Sequence, residues 1–210
     1  MQENAQQQID LFREVEEFLC ATKAAISALE DDPFLYRAIS LSVDAICSIG
    51  PGKVITTGLG KAGHVAEKSA SSFSSLGFPS CYLHPAQASH GDVGIVQPGD
   101  IMLAFSNSGK TREVIETIEL ARKLGVKTVI AVTHHGESPI HELADIVVGI
   151  EKIKEAGHLG LAPTTSVIVM LVLSDIIATM CACRMGLTTE EFGLRHHGGY
   201  LGRKCRGEEI

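Results

Sequence analysis

Residues 106–111, Ser-Asn-Ser-Gly-Lys-Thr, combine hydroxyl side chains with backbone N–H groups at a predicted strand-to-helix transition. The start of a helix carries a partial positive charge and N–H groups without intrahelical partners, so such a segment can bind an anion. The spacing G-x-x-x-x-G-K-[ST] of a nucleotide P-loop is absent. The alternative is that Ser108 or Thr111 only caps the helix. We call residues 106–111 the anion loop, and we predict that it binds phosphate.

A second glycine-rich loop, residues 58–63, reads Gly-Leu-Gly-Lys-Ala-Gly and superficially matches the dinucleotide pattern G-x-G-x-x-G. The acidic residue that such sites place after the second strand is missing, because the chain there reads Leu83-His84-Pro85. This disfavours a hydride-transfer enzyme, and no cofactor is predicted. Lys61 fits better as a cation beside a sugar phosphate or its carbonyl oxygen.

The elements that must position these loops alternate along the chain. Short apolar runs predict strands at residues 54–57, 80–83, 100–105, 127–132 and 145–149, and amphipathic patterns predict helices between them and at residues 9–28 and 33–49. Strands that are apolar on both faces are typical of a parallel sheet covered by helices. We therefore expect an α/β fold with a five-stranded parallel sheet, doubly wound as a Rossmann-like three-layer sandwich. Ligands of such sheets bind beyond the carboxyl ends of the strands, here near residues 58–61, 89–92 and 106–111.

Residues 167–183 form the most apolar stretch. It is shorter than the roughly 20 residues that span a membrane, and Asp175 lies near its centre, so we expect a buried helix and no membrane partner. Because this helix is apolar almost all round, it should lie in a large core or, preferably, in a subunit interface.

One domain is expected at residues 33–205, after a helical extension of residues 1–32 and before a tail of residues 206–210. The polar stretch after Gly199 is expected to be loosely ordered. The N-terminus lacks a basic region followed by an apolar one, so no secretory signal is predicted. The six cysteines include no C-x-x-C pair and are expected to be reduced, which indicates a cytoplasmic protein.

The net charge argues against a nucleic-acid-binding protein, and the spacing of the histidines argues against a metal site. The formal net charge is −7 and no run of Lys and Arg is present, so nucleic acid is not a predicted partner. None of the nine histidines forms an H-x-x-x-H pair, and no metal is predicted. His134 and His135 are expected on an exposed loop.

Five motifs in order give the chain a resemblance to the sugar isomerase (SIS) domain and, within it, to the arabinose-5-phosphate isomerases. They are GLGKAGH (58–64), HPAQASHGDVG (84–94), SNSGKTREV (106–114), KEAGHLGLAPTTS (154–166) and HHGGYLGRK (196–204). The family commonly carries CBS modules after this domain, and the chain resembles a single-domain form. It departs from the family pattern at Ala62, Gln87, Lys110, His158 and His197. Lys110 replaces a usual acidic residue and favours a more anionic ligand.

The resemblance implies interconversion of D-ribulose 5-phosphate and D-arabinose 5-phosphate through an enediol intermediate. It implies catalytic roles for Lys61, Glu113, Glu155 and His196, and substrate contacts from Gly60, His90, Ser106, Asn107, Ser108, Thr111, Thr164 and Thr165. His196 suits ring opening, since an ordinary imidazole titrates near pH 6.5. Glu155 is assigned as the carbon base and Glu113 as a supporting acid or base, and the two could exchange roles. Lys61 would neutralise the enediolate.

The sequence also leaves two other functions open. The chain could isomerise hexulose 6-phosphate, or it could be a non-catalytic module that senses a sugar phosphate or a nucleotide sugar. If the family reading holds, the product feeds synthesis of the lipopolysaccharide sugar Kdo, and CMP-Kdo is a candidate feedback ligand. A homo-oligomer, as a tetramer, is also expected, with His90 or His196 acting across an interface.

Overall fold

The structure, a computed structural model, describes residues 2–134 and 136–208. Its strands are β1 Val54–Gly58, β2 Ser80–Tyr82, β3 Ile101–Ser106, β4 Thr128–His134 and β5 Ile146–Ile150. Its helices are α1 Gln2–Ser27, α2 Pro33–Cys47, α3 Lys61–Ser75, α4 Pro85–Ala88, α5 Arg112–Lys123, α6 Pro139–Leu143, α7 Thr165–Arg184, α8 Thr189–Arg195 and α9 Gly199–Cys205, with a 3-10 helix at Asp92–Ile95. The five predicted strands are confirmed, each end within two residues of its expected position.

The five strands form one parallel sheet in the order β2-β1-β3-β4-β5. The chain moves outward from β1 to β2, returns to the other side of β1 for β3, and then continues outward. The connection therefore reverses direction between β1 and β3, which makes the gap between their carboxyl ends a topological switch point.

Alternate side chains of the strands build two separate cores. Leu103 and Phe105 of β3 pack on one face of the sheet with α2, α3 and α7, whereas Met102 and Ala104 pack on the other face with α5 and α6. All six residues of β3 are buried, as expected for a central strand with helices on both sides. The predicted three-layer α/β architecture is confirmed.

The apolar helix α7 lies against α2 and α3. By length and composition α7 could cross a membrane, but half of its apolar window is buried inside the protein. Its outward side chains, with those of α1 and α2, line an apolar groove of about 310 Å³. Helix α7 thus contributes to the core and also borders an open apolar surface.

A buried carboxylate connects two strands at the amino edge of the sheet. Asp100 is 1% exposed and accepts hydrogen bonds from the backbone N–H groups of Lys53 (2.9 Å) and Gln97 (2.8 Å). Its other contact is an ion pair with Lys53 Nζ at 2.6 Å. These bonds fix the starts of β1 and β3, the two strands whose opposite ends border the switch point.

The expectation of a loosely ordered stretch after Gly199 is wrong, because residues 199–205 form α9. Gly202 is buried and lies so close to the carbonyl of His196 that a side chain would not fit. Arg206 then donates from Nη1 to the carbonyl of His197 at 3.0 Å. The polar composition concealed this packing, which depends on backbone contacts rather than on apolar side chains.

Candidate active site

The carboxyl ends of β1 and β3 bring the two glycine-rich loops together. Gly58 pairs with Phe105 in the parallel ladder, so residues 58–61 and the anion loop leave the sheet side by side. Helix α3 then runs along one face of the sheet and α5 along the other. The N-termini of both helices therefore face the same switch point.

The loop from β1 to α3 needs its glycines. A side chain on Gly58 would approach the carbonyl oxygen of Ala62 to 2.8 Å, and Gly60 adopts a positive φ of 63°. Tyr82, at the end of β2, donates its hydroxyl to the carbonyl of Gly58 at 2.9 Å. This tight turn places Lys61 as the first residue of α3, where its side chain is exposed.

The anion loop is shaped by its own hydroxyl and amide groups. Ser106 is buried, and its Oγ lies 3.0 Å from Oγ1 of Thr111. The N–H of Gly109 donates to the carbonyl of Ser106 at 3.1 Å, and the N–H of Lys110 donates to Ser108 Oγ at 3.2 Å. Thr111 precedes α5, but its hydroxyl contacts Ser106 instead of capping the helix. The start of α5 is therefore available to an anion.

Glu113 lies exposed in the first turn of α5, two residues beyond Thr111. The helix dipole favours a negative charge at this position. Because α3 and α5 both begin at the switch point, the carboxylate of Glu113 and the ammonium of Lys61 belong to the same edge of the sheet. The site thus offers one acid–base group and one cation beside an anion loop.

Helix α7 also begins at this edge. Cys47, which ends α2 shortly before the amino end of β1, donates from Sγ to the carbonyl of Cys181 at 3.8 Å. The last turns of α7 therefore lie at the amino edge of the sheet, and its first turn, with Thr164 and Thr165, lies at the carboxyl edge. Thr165 is buried, and its hydroxyl has no hydrogen-bond partner among the residues that the structure describes.

The carboxylate of Glu155 is bound to the start of α7. Its Oε2 accepts from the N–H groups of Thr164 (2.8 Å) and Ser166 (3.2 Å) and from Thr164 Oγ1 (3.3 Å), and its Oε1 accepts from Ser166 Oγ. Partial burial alone would raise the pKa of Glu155, but the hydrogen bonds from Ser166 and Thr164 together outweigh it, so the pKa lies below its usual value of 4.5. Ser166 was not among the predicted site residues, although its position at a helix start pointed to it.

His196 lies away from this edge within the chain. It stacks on Phe192 with ring centroids 4.0 Å apart, and it lines a groove with Lys68 and Ser75 of α3. Lys68 and Ser75 are 7 and 14 residues beyond Lys61, or about 10 and 20 Å along the helix at a rise of 1.5 Å per residue. One chain therefore does not bring His196 to Lys61.

His90 is exposed between α4 and the 3-10 helix, midway along the segment that descends from the carboxyl end of β2 to the start of β3. This segment packs on α5, where Thr117 Oγ1 lies 3.5 Å from the carbonyl of Pro85. Ten of the twelve predicted site residues thus lie in loops or first helical turns at the carboxyl edge, whereas His90 lies in the connection from β2 to β3 and His196 lies in the groove beside α3.

His134 differs from its prediction as an exposed loop residue. It is half-buried and forms the last residue of β4, with its N–H donating to the carbonyl of Asn107 at 3.0 Å. His135 lies outside the described residues. Within residues 2–134 and 136–208, no group of three or more His, Cys, Asp or Glu side chains is arranged to hold a metal ion.

Comparison with known proteins identifies the domain family to which this fold belongs. The family model of the SIS domain matches residues 49–180. The chain belongs to the SIS domain family, as its motifs predicted.

Three similar proteins narrow the comparison. The c3406 protein of E. coli CFT073, solved in complex with A5P, is 34% identical with a TM-score of 0.83, over 90% of this chain and 98% of that one. A Bacteroides fragilis NCTC 9343 protein, described as a phosphosugar isomerase involved in capsule formation, is 38% identical with a TM-score of 0.82, over 90% and 99% of the two chains. The arabinose 5-phosphate isomerase KdsD of Pseudomonas aeruginosa is 43% identical over 155 residues, which are 74% of this chain and 47% of that protein. The chain spans about half the length of the curated relatives it matches.

Proposed function

We propose that this protein is an aldose–ketose isomerase that interconverts D-ribulose 5-phosphate and D-arabinose 5-phosphate through an enediol intermediate. The main observation in support is that Lys61, Glu113 and the anion loop all lie at the switch point. A sugar phosphate would place its phosphate on the anion loop at the start of α5. Its carbonyl end would then lie toward Lys61. The similarity to a solved complex with A5P supports this ligand class.

The contacts favour Glu113 as the carbon base, which reverses the assignment expected from the sequence. The oxygens of Glu155 already accept four hydrogen bonds, and its lowered pKa makes it a weaker base. Glu113 is exposed at the start of α5 and can approach a substrate carbon. Glu155 would instead hold Thr164 and the first turn of α7 in place. Lys61 would stabilise the oxyanion of the enediolate.

The deciding assay is conversion of ribulose 5-phosphate by wild type, Glu113→Gln and Glu155→Gln, with the product identified by NMR. A positioned base contributes about 10²- to 10⁴-fold in rate, so Glu113→Gln should lose that much of kcat. We expect Glu155→Gln to lose about tenfold or less, as for a few weakened hydrogen bonds. The reverse pattern would restore Glu155 as the base. Binding of sugar phosphates without turnover would favour a sensing module, and turnover of hexulose 6-phosphate alone would favour that rival isomerase.

We further propose a homotetramer in which His196 or His90 of one copy completes the site of another. Leu11, Phe12, Val15 and Leu19 of α1 are each more than half exposed, and such an apolar stripe is unusual on a monomer surface. The test mixes inactive Lys61→Ala and His196→Ala proteins and allows their subunits to exchange. Partial recovery of turnover would support shared sites, because some sites then combine two intact residues. No recovery in confirmed mixed oligomers would mean that His196 does not act in trans.

We also propose a cellular location and a metabolic role. We place the protein in the cytoplasm, where its product would supply Kdo for lipopolysaccharide. CMP-Kdo is a candidate feedback ligand because Lys110 adds an exposed cation to the anion loop. Isothermal titration with CMP-Kdo checks this, using Lys110→Glu as the control. Equal heats for both proteins, or none, would exclude the role of Lys110.

A further inference from the structure

His134 connects two segments of the candidate site that are distant in sequence. Its N–H donates to the carbonyl of Asn107, inside the anion loop, at 3.0 Å. Its ring Nδ1 lies 3.2 Å from the carbonyl oxygen of Ile150, the last residue of β5. Residues 151–164, which include Glu155, begin directly after Ile150.

The partner of the ring determines which nitrogen carries the proton. A carbonyl oxygen can only accept a hydrogen bond, so Nδ1 of His134 must be the donor. This donor is present in the neutral Nδ1–H tautomer and also in the charged imidazolium. The link to Ile150 therefore persists in either protonation state.

The residues after β4 make a second connection to the anion loop. The N–H of Ile140 donates to the carbonyl of Gly109 at 3.2 Å, and Gly109 has no room for a side chain because Ser138 lies against it. Gly136 lies beside the ring of His134, where an added Cβ would be 3.4 Å from Nε2. Two backbone hydrogen bonds, from His134 and from Ile140, thus connect the anion loop to the end of β4 and the residues that follow it.

We propose that His134 is a positioning residue, whose imidazole sets the spacing between the anion loop and the Glu155 segment. The kinetic part of this inference rests on the proposed isomerase function, and the structural part does not. The ring holds the end of β5 while the backbone of the same residue holds Asn107. The strand ladder already pairs His134 with Ile150, and the ring bond adds a second link to the carbonyl of Ile150. Loss of the ring bond would therefore loosen the segment after Ile150 without separating the strands and without removing a group that touches the substrate.

The test uses three substitutions of His134. Asparagine places an amide N–H where Nδ1 lies, glutamine places its amide about one bond further out, and alanine has no donor. Hydrogen exchange of the intact protein is measured for residues 106–111 and 151–164. We expect faster exchange in both segments for His134→Ala and His134→Gln, and exchange near that of wild type for His134→Asn.

Steady-state kinetics with ribulose 5-phosphate give the second readout. A net hydrogen bond corresponds to roughly a two- to tenfold effect, so KM should rise by that factor in His134→Ala, with a smaller change in kcat, and recover in His134→Asn. Unchanged exchange in His134→Ala, faster exchange in only one segment, or better rescue by Gln than by Asn would overturn the proposal. If wild type shows no turnover, the proposed function fails while the exchange pattern still decides the role of His134.

Discussion

Replacement of Glu155 tests whether its carboxylate anchors α7. Glu155→Gln keeps the size of the side chain and removes its charge, and Glu155→Ala removes every hydrogen bond to Thr164 and Ser166. Glu151, exposed in the same segment, provides the matched control as Glu151→Gln. The measured quantity is the free energy of unfolding from urea denaturation.

The magnitude follows from the contacts. A carboxylate near a helix N-terminus contributes about 0.3–1 kcal/mol through the dipole, and hydrogen bonds to a charged group contribute about 1.5–3 kcal/mol. Glu155→Gln retains neutral hydrogen bonds and should lose about 1–2 kcal/mol at pH 7. Glu155→Ala leaves the N–H groups of Thr164 and Ser166 without this partner and should lose about 2–4 kcal/mol. Glu151→Gln should change stability by less than about 0.5 kcal/mol.

The difference between wild type and Glu155→Gln should also depend on pH. The pKa of Glu155 in the folded protein lies below its usual value of 4.5, so the folded state binds fewer protons than the unfolded state in this range. The stabilisation is therefore fully present above pH 4.5 and is lost as the pH falls through the folded pKa. A difference that stays constant from pH 7 to pH 4, or one no larger than that of Glu151→Gln, would refute the anchoring role.

Two further substitutions test the framework of the site. Gly63→Ala should destabilise the fold by about 1–3 kcal/mol and lower kcat/KM, because the new Cβ would lie 2.8 Å from the carbonyl oxygen of Gly58; Gly94→Ala, in open space, is the control, and denaturation with kinetics checks both. Asp100→Ala should lose about 2–4 kcal/mol with kcat/KM of the folded enzyme unchanged, because two N–H groups and Lys53 lose a buried partner at the opposite edge of the sheet. Asp175→Ala, which breaks a half-exposed ion pair with Lys68, should lose less than about 1 kcal/mol, and an equal loss in both would contradict the assigned role of burial.

The strands could be predicted because a parallel sheet buries both faces of each strand. In β3 every residue from Ile101 to Ser106 is buried, and the apolar run in the sequence, residues 101–105, covers five of these six positions. The order of the strands in the sheet could not be predicted from the apolar runs. An apolar run specifies burial but not which strand lies beside it, so the meeting of Gly58 and Phe105 appears only in the structure.

Residues whose structure depends on distant backbone partners were predicted least well. The sequence ended β4 at Val132, because the histidines that follow resemble a polar loop. His134 instead continues the strand, since the carbonyls of Asn107 and Ile150 accept hydrogen bonds from it. The role of Glu155 was concealed for the same reason. Its partners lie nine and eleven residues further along the chain, across a loop whose path the sequence does not specify.

The proposed phosphate site does not require a positive net charge on the whole protein, whose formal net charge is −7. Each helix N-terminus contributes roughly half a positive charge, and α3 and α5 both begin at the switch point. Charges further than about 8 Å away are screened at physiological ionic strength, so the acidic balance of the whole surface has little effect there. Glu155 neutralises the start of α7, which leaves the starts of α3 and α5, with Lys61 and Lys110, as the sources of local positive charge. Under the proposed function, a phosphate would bind at the start of α5, because the carboxylate of Glu155 already accepts hydrogen bonds from the N–H groups at the start of α7.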